Sequence, residues 1–354
     1  MTRLAPIGFL LALALPAPAA AYSIASGFSE PCHEVMTAEA FDEVVLSLPT
    51  AQIVVPRGSG WRRVGRFVLE TVGVDPTGLS EVEFFVLTSL LVGVRSPDTE
   101  GHAILNLESA RTIHTNPDAA EQYAHGLRGL EDDGVEGDAA AVQGTRARIL
   151  EEVAEADAAV RLPAEEQLFR TQLYFDFYGL IDLDVWSVAF HLGRAAHALQ
   201  DSFSHTIRDE HDEFRSVLTV FNFVEAVSGT LRESRDGLPH SDAMDRCSEE
   251  TAELRAAATR ATGELFLAAR EVFLGRDAQA VESILDAWLR YRAGCSVADE
   301  FCDNGRWLTL ARRDPSEPFI CAAVAAAPPG WLASQLGWVA LVVMHLGWRR
   351  RAAP

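Results

Sequence analysis

Segments with the helical spacing of apolar residues fill most of this 354-residue chain, and they constrain its fold more than any other feature. They occupy residues 83–94, 139–160, 167–180, 184–205, 212–231, 248–273 and 278–291. Alternating apolar and polar residues, the pattern of a half-buried strand, are nearly absent, and 53–55 is the best, very short example. No loop is long enough for an interdomain linker. The sequence therefore predicts one all-α, multi-helix domain over residues 22–325.

The first 21 residues have the organisation of a secretory signal peptide. Arg3 is the basic start, residues 4–15 form the apolar run, and Ala19 and Ala21 match the small residues before a cleavage site. The apolar run is too short for an uncleaved membrane anchor. We therefore expect cleavage after residue 21 and an exported protein that starts at Tyr22, in the periplasm or at the cell surface.

The opposite end carries a second apolar segment. Residues 330–348 contain no formally charged side chain and would be about 28 Å long as a helix, close to the hydrocarbon thickness of a bilayer. Three arginines at 349–351 follow, as at a cytoplasmic end. The sequence predicts a transmembrane or sorting helix at 330–348 and a basic cytoplasmic tail at 349–354, with a buried core helix as the alternative. Together with the proline pair in front of it, this end resembles bacterial C-terminal sorting tails, including the myxobacterial kind. The anchor would be lost if the tail is processed.

The part of the chain between these ends is strongly acidic. The sequence has 51 acidic residues, 30 arginines and no lysine, for a net charge of −21. Because four arginines and no acid lie in residues 1–21 and 330–354, the stretch between them carries −25. Such a surface repels phosphate backbones at long range. The charge argues against a groove for duplex nucleic acid, but it is compatible with a short nucleotide held by metal ions.

Five cysteines in an exported chain suggest disulfides. Cys295 and Cys302, with six residues between them, would close a small loop. Cys32 and Cys247 are far apart in sequence and would pair only if the segments around them converge. Cys321 would then be left over, either free or used in tail processing. Other pairings stay open at this level.

Three residues of the 184–205 segment would form one polar stripe on a helix. His197, Asp201 and His205 are each four residues apart, so the stripe would be about 12 Å long. A histidine and a carboxylate at this spacing can chelate one divalent ion, and His205 would serve a second ion with Asp201 as the bridge. A solvated stripe is the alternative. The stripe has apolar neighbours, which are Phe190, Leu192, Ala195, Leu199 and Phe203. They indicate a buried helix, and polar side chains on a buried helix need partners inside the protein.

The motif around this stripe resembles a known family. Residues 190–201 read Phe-x-Leu-Gly-x-x-x-His-x-x-x-Asp, which is similar to the zinc-dependent phospholipase C family and its relatives, the fungal single-strand nucleases. The variant His-x-x-Gln-Asp-x-x-x-His at 197–205 resembles more closely the branch that includes fungal heterokaryon-incompatibility proteins. The resemblance implies an all-α fold, two or three bound Zn²⁺ ions, and hydrolysis of phosphodiesters in lipids or nucleic acids.

The resemblance also implies further metal ligands. His33, in Cys-His-Glu-Val-Met-Thr, matches a histidine near the mature N-terminus. Tyr22 would bind through its amino nitrogen and carbonyl oxygen, where the family usually has tryptophan. Asp98 and His114, which are 16 residues apart, match an aspartate in a loop and the histidine that follows it, and His102 competes with His114.

The last pair of ligands in the family is a histidine with an acid four residues later, and this chain departs from that spacing. His240 is followed by Asp245, whereas His211 has acids directly beside it at 212 and 213. We prefer His240 with Asp245, and the third metal site rests on this choice.

The roles implied by the resemblance complete the expectation. Asp98 would contact a metal ion and orient or deprotonate the attacking water, and Asp201 would bridge two ions. His125 and His191 are interpreted as ordinary polar residues or as groups that support the ligands. We therefore expect an exported hydrolase of the cell envelope that is tethered to the membrane by its C-terminal helix. Its phosphodiester substrate would be a phospholipid or a nucleotide.

Three alternatives remain. An HD-type phosphohydrolase would use His211 and Asp212, but such enzymes are typically intracellular, unlike a chain with a signal peptide. A di-iron bundle needs paired Glu-x-x-His motifs, and the single match, Glu30 to His33, contains a proline. The main alternative is a non-enzymatic cell-surface protein that keeps a structural metal site or none.

Overall fold

The structure is a computed structural model that describes residues 31–42, 53–99, 116–175, 179–241 and 243–313. Its helices are α1 (Cys32–Asp42), α2 (Ser59–Thr71), α3 (Glu81–Thr99), α4 (Ala119–Ala124), α5 (Gly134–Val160), α6 (Ser187–Ser204), α7 (Phe223–Ser228), α8 (Glu233–Asp236), α9 (Ala252–Phe273), α10 (Ala280–Trp288), α11 (Glu300–Asp303) and α12 (Gly305–Ala311). Its strands are β1 (Leu168–Phe175), β2 (Gly179–Trp186), β3 (Thr206–Arg208), β4 (Ser216–Val220) and β5 (Arg290–Tyr291). The fold is mostly helical, with 63% of the described residues in α or 3-10 helices.

Helix α6 lies in the middle of the core. It packs against α3, α5 and α9, while α1 covers α3 and α9. Residues 195–204 are all buried. A helix that is buried on every side must satisfy its polar side chains inside the protein. The polar stripe on α6 therefore meets groups from the surrounding helices and not from solvent.

Two glycines set a close crossing between α3 and α6. A Cβ atom on Gly93 would lie 2.1 Å from the carbonyl oxygen of Phe190, and one on Gly193 would lie 2.2 Å from that of Leu90. Because any larger residue would clash with backbone atoms, the two helices touch directly at this point. The contact places the last turn of α3, which carries Asp98, beside the second half of α6.

The helix predicted at 167–180 is wrong, and so is the predicted start of the next helix at 184. A β-hairpin occupies this region, with β1 and β2 antiparallel and Arg170 opposite Asp184. Leu183 and Val185 are buried on the inner face, whereas Asp182 and Asp184, which alternate with them, have their side chains about half exposed on the outer face. The segment therefore does alternate, but its short apolar runs also satisfy helical spacing, and length alone does not separate the two patterns. The hairpin is a local exception in a structure whose described part, mostly helical with few strands, agrees with the expected all-α class.

The single helix predicted at 212–231 is also wrong. These residues contain β4 and the short helix α7. Strand β4 pairs antiparallel with β3 and parallel with β5, so the predicted helix at 278–291 ends at Trp288 and passes into a strand. Residues 53–55, the best alternating pattern in the sequence, are irregular. The other predicted helices are present with shifted ends.

Both disulfides favoured by the sequence are present. Cys32 pairs with Cys247 and Cys295 with Cys302. The first bond ties α1 to the segment before α9 and lies next to His33 in the sequence. It therefore fixes two distant parts of the chain close to the polar stripe of α6.

Several predictions fall outside the described residues. They concern the signal peptide at 1–21, Tyr22, His102, His114, Cys321, the apolar segment at 330–348 and the tail at 349–354. Within the described ranges, no helix combines the length and the apolar composition that crossing a bilayer requires.

Candidate metal centre

The polar stripe of α6 is buried and not solvated. His197, Asp201 and His205 have no exposed surface. His205 follows the helix directly, and its backbone amide still donates to the carbonyl of Asp201 at 2.9 Å. Two groups of side chains gather around this stripe, one at Asp201 and one at His205.

Asp98, His125, His197 and Asp201 form the first cluster. One ligand-type atom of each residue lies within 4.8 Å of the others. Nε2 of His197 is 2.9 Å from Oδ2 of Asp201 and 3.1 Å from Nδ1 of His125, and that Nδ1 is 3.1 Å from the same carboxylate oxygen. Oδ1 of Asp98 is 3.7 Å from both imidazole nitrogens. Two imidazoles and two carboxylates are a ligand set that zinc accepts.

The end of α3 positions one imidazole and one carboxylate of this cluster. The Val94 carbonyl accepts a hydrogen bond from Nδ1 of His197 at 2.9 Å, so Nδ1 carries a proton and Nε2 faces the cluster. Pro97 cannot donate to the Gly93 carbonyl, and the Ser96 hydroxyl donates to it instead at 3.0 Å. The helix therefore continues to Asp98, which was expected in a loop.

His125 is the cluster residue that sequence reasoning missed. It was interpreted as an ordinary polar or supporting residue, and it has a glycine, not an acid, at the fourth following position. Gly126, with φ +61°, turns the chain after α4 against α6, and a Cβ there would lie 2.8 Å from the backbone of Ser202. Only glycine allows this approach. Gly126, directly after His125, was the one local signal in the sequence that could have indicated a close contact.

His33 on α1 approaches the other oxygen of the shared carboxylate. Its Nε2 lies 3.0 Å from Oδ1 of Asp201, whereas His125 and His197 face Oδ2. Asp201 thus presents one oxygen to each side, which is the arrangement that a bridging carboxylate needs. Tyr22, the further ligand expected on the side of His33, lies outside the described residues.

Gln200 fixes the ring of His33. Nδ1 of His33 is 2.7 Å from Oε1 of Gln200, and Nε2 of Gln200 donates to the hydroxyls of Thr37 and Thr262 at 2.9 and 3.2 Å. Because Thr262 gives its own proton to a backbone carbonyl, it accepts from Gln200, and this sets the orientation of the amide. Nδ1 of His33 therefore donates to Gln200, and Nε2 is left facing Asp201.

His205, His240 and Asp245 form the second cluster. The Nε2 atoms of the two imidazoles are 3.1 Å apart, and Asp245 lies 3.0 Å from His240 and 3.4 Å from His205. Nδ1 of His205 donates to the backbone carbonyl of His125. His125 therefore belongs to the first cluster by its side chain and supports the second by its backbone. The structure brings the preferred pair, His240 and Asp245, together with His205.

The distances fit coordination of a divalent cation. Two ligands of a tetrahedral zinc ion stand about 3.3 Å apart when each bond is about 2.0–2.1 Å, close to the 3.1 Å between the nitrogens of His205 and His240. Oδ1 of Asp201 and both oxygens of Asp245 are buried and accept no well-aligned hydrogen bond from a described residue, although imidazole nitrogens lie 3.0–3.4 Å away. A cation would satisfy these oxygens and use the same imidazoles as ligands.

Without a cation, the imidazoles must balance the buried carboxylates. Burial alone lowers the pKa of His33, but the Asp201 carboxylate outweighs it and raises the pKa of His33 to about 9. For His205, burial again lowers the pKa, and Asp201 with Asp245 raises it to about 8. In spite of burial, the imidazoles hold the pKa of Asp201 well below its usual value. Zinc would compete with protons for the same positions.

A third group of carboxylates does not resemble these clusters. Asp133, Glu225 and Asp236 come together, with Asp133 exposed and the other two buried. Arg235 lies among them, with Nη2 2.9 Å from Glu225 and Nε 3.4 Å from Asp133. An arginine already neutralises this group and no imidazole belongs to it, so we assign no metal there.

The two other histidines of the described ranges lie outside both clusters. Nδ1 of His191 is 2.7 Å from Glu152. His211 is in an exposed 3-10 turn, and the neighbouring Asp212 carboxylate accepts hydrogen bonds from Ser216. The structure thus brings neither His211 nor His191 to the buried centre.

Comparisons with known proteins add no assignment. No family model matches the chain, and no curated protein or solved structure matches it. The interpretation therefore depends on the motif and on the geometry described above.

Proposed function

We propose that this chain is an exported, membrane-tethered, zinc-dependent phosphodiester hydrolase of the phospholipase C or single-strand nuclease type. The observation that carries the proposal is the buried carboxylate of Asp201, with His33 at one oxygen and His125 and His197 at the other. The second histidine–carboxylate cluster begins one helical turn further, at His205. Adjacent metal-type clusters of this kind suit phosphodiester hydrolysis, since two ions can hold the attacking and leaving oxygens.

Three sets of residues would hold the ions. They are Asp98, His125, His197 and Asp201; His205, His240 and Asp245; and His33 with Asp201 and Tyr22. Bound zinc supplies a water pKa near neutrality and a positive charge beside a phosphoryl oxygen. The chain's own contribution is to hold the imidazoles in the correct tautomers through Val94, Gln200 and the carbonyl of His125.

Asp98 is the best-placed residue to act on water. Its side chain keeps 8% of its surface exposed, whereas those of His197 and Asp201 have none. Its carboxylate thus lies at the outer edge of the first cluster. There it accepts the proton of the attacking water and orients that water toward phosphorus. The other carboxylate of this cluster, Asp201, is occupied by three imidazoles and is not available for this role.

The rest of the molecule supports an exported enzyme for a small ester. The two disulfides favour an oxidising compartment, in agreement with the expected signal peptide. The acidic surface disfavours a duplex nucleic acid groove but leaves a phospholipid headgroup or a short nucleotide as the substrate.

Metal content and hydrolysis test the proposal together. The purified protein, processed so that it starts at Tyr22, should hold two or three zinc ions and should hydrolyse a short-chain phosphatidylcholine, a single-stranded oligonucleotide or a chromogenic phosphodiester. His197→Ala should lose one ion and most of the activity, since Asp201 and Asp98 lose the imidazole between them. His191→Ala is the matched control, because His191 lies on the same helix but contacts Glu152. This variant should keep the full zinc content and the full activity. Zinc binding without hydrolysis of any substrate would contradict the enzymatic proposal.

A structural metal site in a non-enzymatic surface protein is the second candidate, and burial is the observation that favours it. Apart from Asp98, every side chain of the two clusters and of His33 is at most 4% exposed. Little of the described centre is open to a substrate. This candidate predicts full zinc content and strong stabilisation by zinc with no turnover on all three substrates.

A further inference from the structure

A basic face interrupts the acidic surface at α2. It consists of Arg62, Arg63 and Arg66 on the helix and Arg57 just before its start, which are all exposed and lie within ten residues. Residues 44–69 contain no aspartate or glutamate. In a region of the chain with a net charge of −25, this is a local reversal of sign.

The opposite side of α2 holds this face outward. Trp61, Val64 and Val68 are at most 4% exposed, and α2 packs against α3. The Trp61 ring lies with its centroid 5.2 Å from that of Phe84 and 5.0 Å from that of Phe85. Because the apolar side anchors the helix, the arginines stay at the surface in a fixed arrangement.

Most of these arginines have no internal task. Arg62 pairs with Glu81, but Arg57, Arg63 and Arg66 form no ion pair or side-chain hydrogen bond with any residue in the described ranges. Elsewhere, arginines such as Arg128 bind buried carboxylates and carbonyls. Three of the four arginines are therefore available to an external anion without breaking a contact to a described residue, and only Arg62 would have to share its charge with Glu81.

We propose that the basic face of α2 docks the domain onto an anionic phospholipid surface. Charges are screened within about 8 Å at physiological salt. Binding at contact is therefore governed by the charge of the contacting surface and not by the net charge of the protein. A helix face with several arginines suits a layer of anionic headgroups, each arginine strengthening the binding about fivefold. A single-stranded nucleic acid would also need exposed aromatic rings for stacking, and Trp61 is buried. This inference goes beyond the proposed function and does not require zinc.

Hydrogen–deuterium exchange of the full chain on vesicles tests this docking. One set of vesicles is phosphatidylcholine alone, and the other contains about one third phosphatidylglycerol. The expected C-terminal helix would insert into both, so the readout must be local: the amides of 57–71 should be protected on the anionic vesicles only. The protection should disappear in 0.5 M salt. The variant with Arg57→Gln, Arg63→Gln and Arg66→Gln should lose it, because the local association of this face with the headgroups becomes about a hundredfold weaker.

A charge-matched variant separates this face from the net charge. Arg232→Gln, Arg255→Gln and Arg260→Gln remove the same charge elsewhere and should leave the protection of 57–71 intact. Neither variant removes an ion pair with a described residue, and the control loses only the contact of Arg260 with the Trp288 ring, so both should keep an unfolding midpoint close to that of the parent. Equal exchange on both vesicle types would overturn the proposal. Protection by a single-stranded oligonucleotide and not by vesicles would also overturn it and would assign the face to nucleic acid.

Discussion

The two halves of α6 hold buried carboxylates in different ways. Near its start, His191 and Arg194 contact Glu152 of α5, at 2.7 Å each, and Arg148 binds the same carboxylate. Near its end, Asp201 faces three imidazoles and, among the described residues, no arginine. A guanidinium keeps its charge at every relevant pH, whereas an imidazole does so only when protonated. Glu152 is therefore neutralised by the chain itself, and Asp201 needs either protons or a metal ion.

This difference separates a structural cluster from a binding cluster. The arginines of the first hold their carboxylate permanently, so no exchangeable ion is required there. In the second, His33 and His197 each have one nitrogen fixed by an internal acceptor and the other turned toward Asp201. The carbonyl of His125 fixes Nδ1 of the neighbouring His205 in the same way. Such an imidazole can exchange a proton for a metal ion without moving.

Removing zinc should have the largest effect. We expect chelation to lower the free energy of unfolding by about 4 kcal/mol relative to protein with free zinc at about a thousand times the dissociation constant. Denaturant unfolding with EDTA and with added zinc measures the difference. Asp201→Asn protein is the control and should show a much smaller response. Identical unfolding midpoints with and without zinc in the parent protein would refute the metal centre.

Neutralising one carboxylate at a time should distinguish the two halves of α6. Asp201→Asn should abolish binding of at least one zinc ion, since both oxygens of this carboxylate face imidazoles. Glu152→Gln should keep every zinc ion but lower the free energy of unfolding by about 2–3 kcal/mol. This is less than for a fully buried pair, because the Arg148 and Arg194 side chains reach solvent. Zinc loss in Glu152→Gln would contradict the division.

The amide behind His33 should affect metal affinity more than stability. Gln200→Leu removes the acceptor of His33 Nδ1 and should weaken zinc binding about 10- to 100-fold. Gln167→Leu is the matched control: this amide is also buried, but it binds Trp186 and the Leu162 carbonyl away from the centre. Competition titrations with a chromophoric chelator measure both variants. Equal affinities would show that Gln200 is only a packing residue.

The sequence predicted those parts of the centre that depend on local spacing. His197, Asp201 and His205 follow from one helical period, and the structure places all three in the buried stripe. His125 did not follow, because its proximity to Asp201 depends on a positive-φ turn at Gly126 and on the packing of α4 near α6. Contacts between segments that are distant in the chain leave no period in the sequence.

The fold shows the same limit. Long helices such as α5 and α9 have many apolar residues at one period and were predicted. The β1–β2 hairpin was not, because each strand is only eight residues long and its apolar residues fit a helix as well. Cross-strand pairs such as Arg170 with Asp184 favour the strand over the helix in this region. The sequence of one segment alone does not show with which residues it will pair.

The smallest effect should come from acid. Burial alone would raise the pKa of Glu152, but hydrogen bonds from His191 and Arg194 and the charge of Arg148 hold it below the ordinary 4.5. A carboxylate with a lowered pKa in the folded state contributes stability above its unfolded pKa and loses it as the pH falls through the folded value. The difference in unfolding free energy between the parent and Glu152→Gln should therefore be constant above about pH 5 and shrink below pH 4.5, with or without zinc. Glu155→Gln, at an exposed position on the same helix, serves as the reference. A difference that instead grew with acid would mean that burial, and not the arginines, dominates at Glu152.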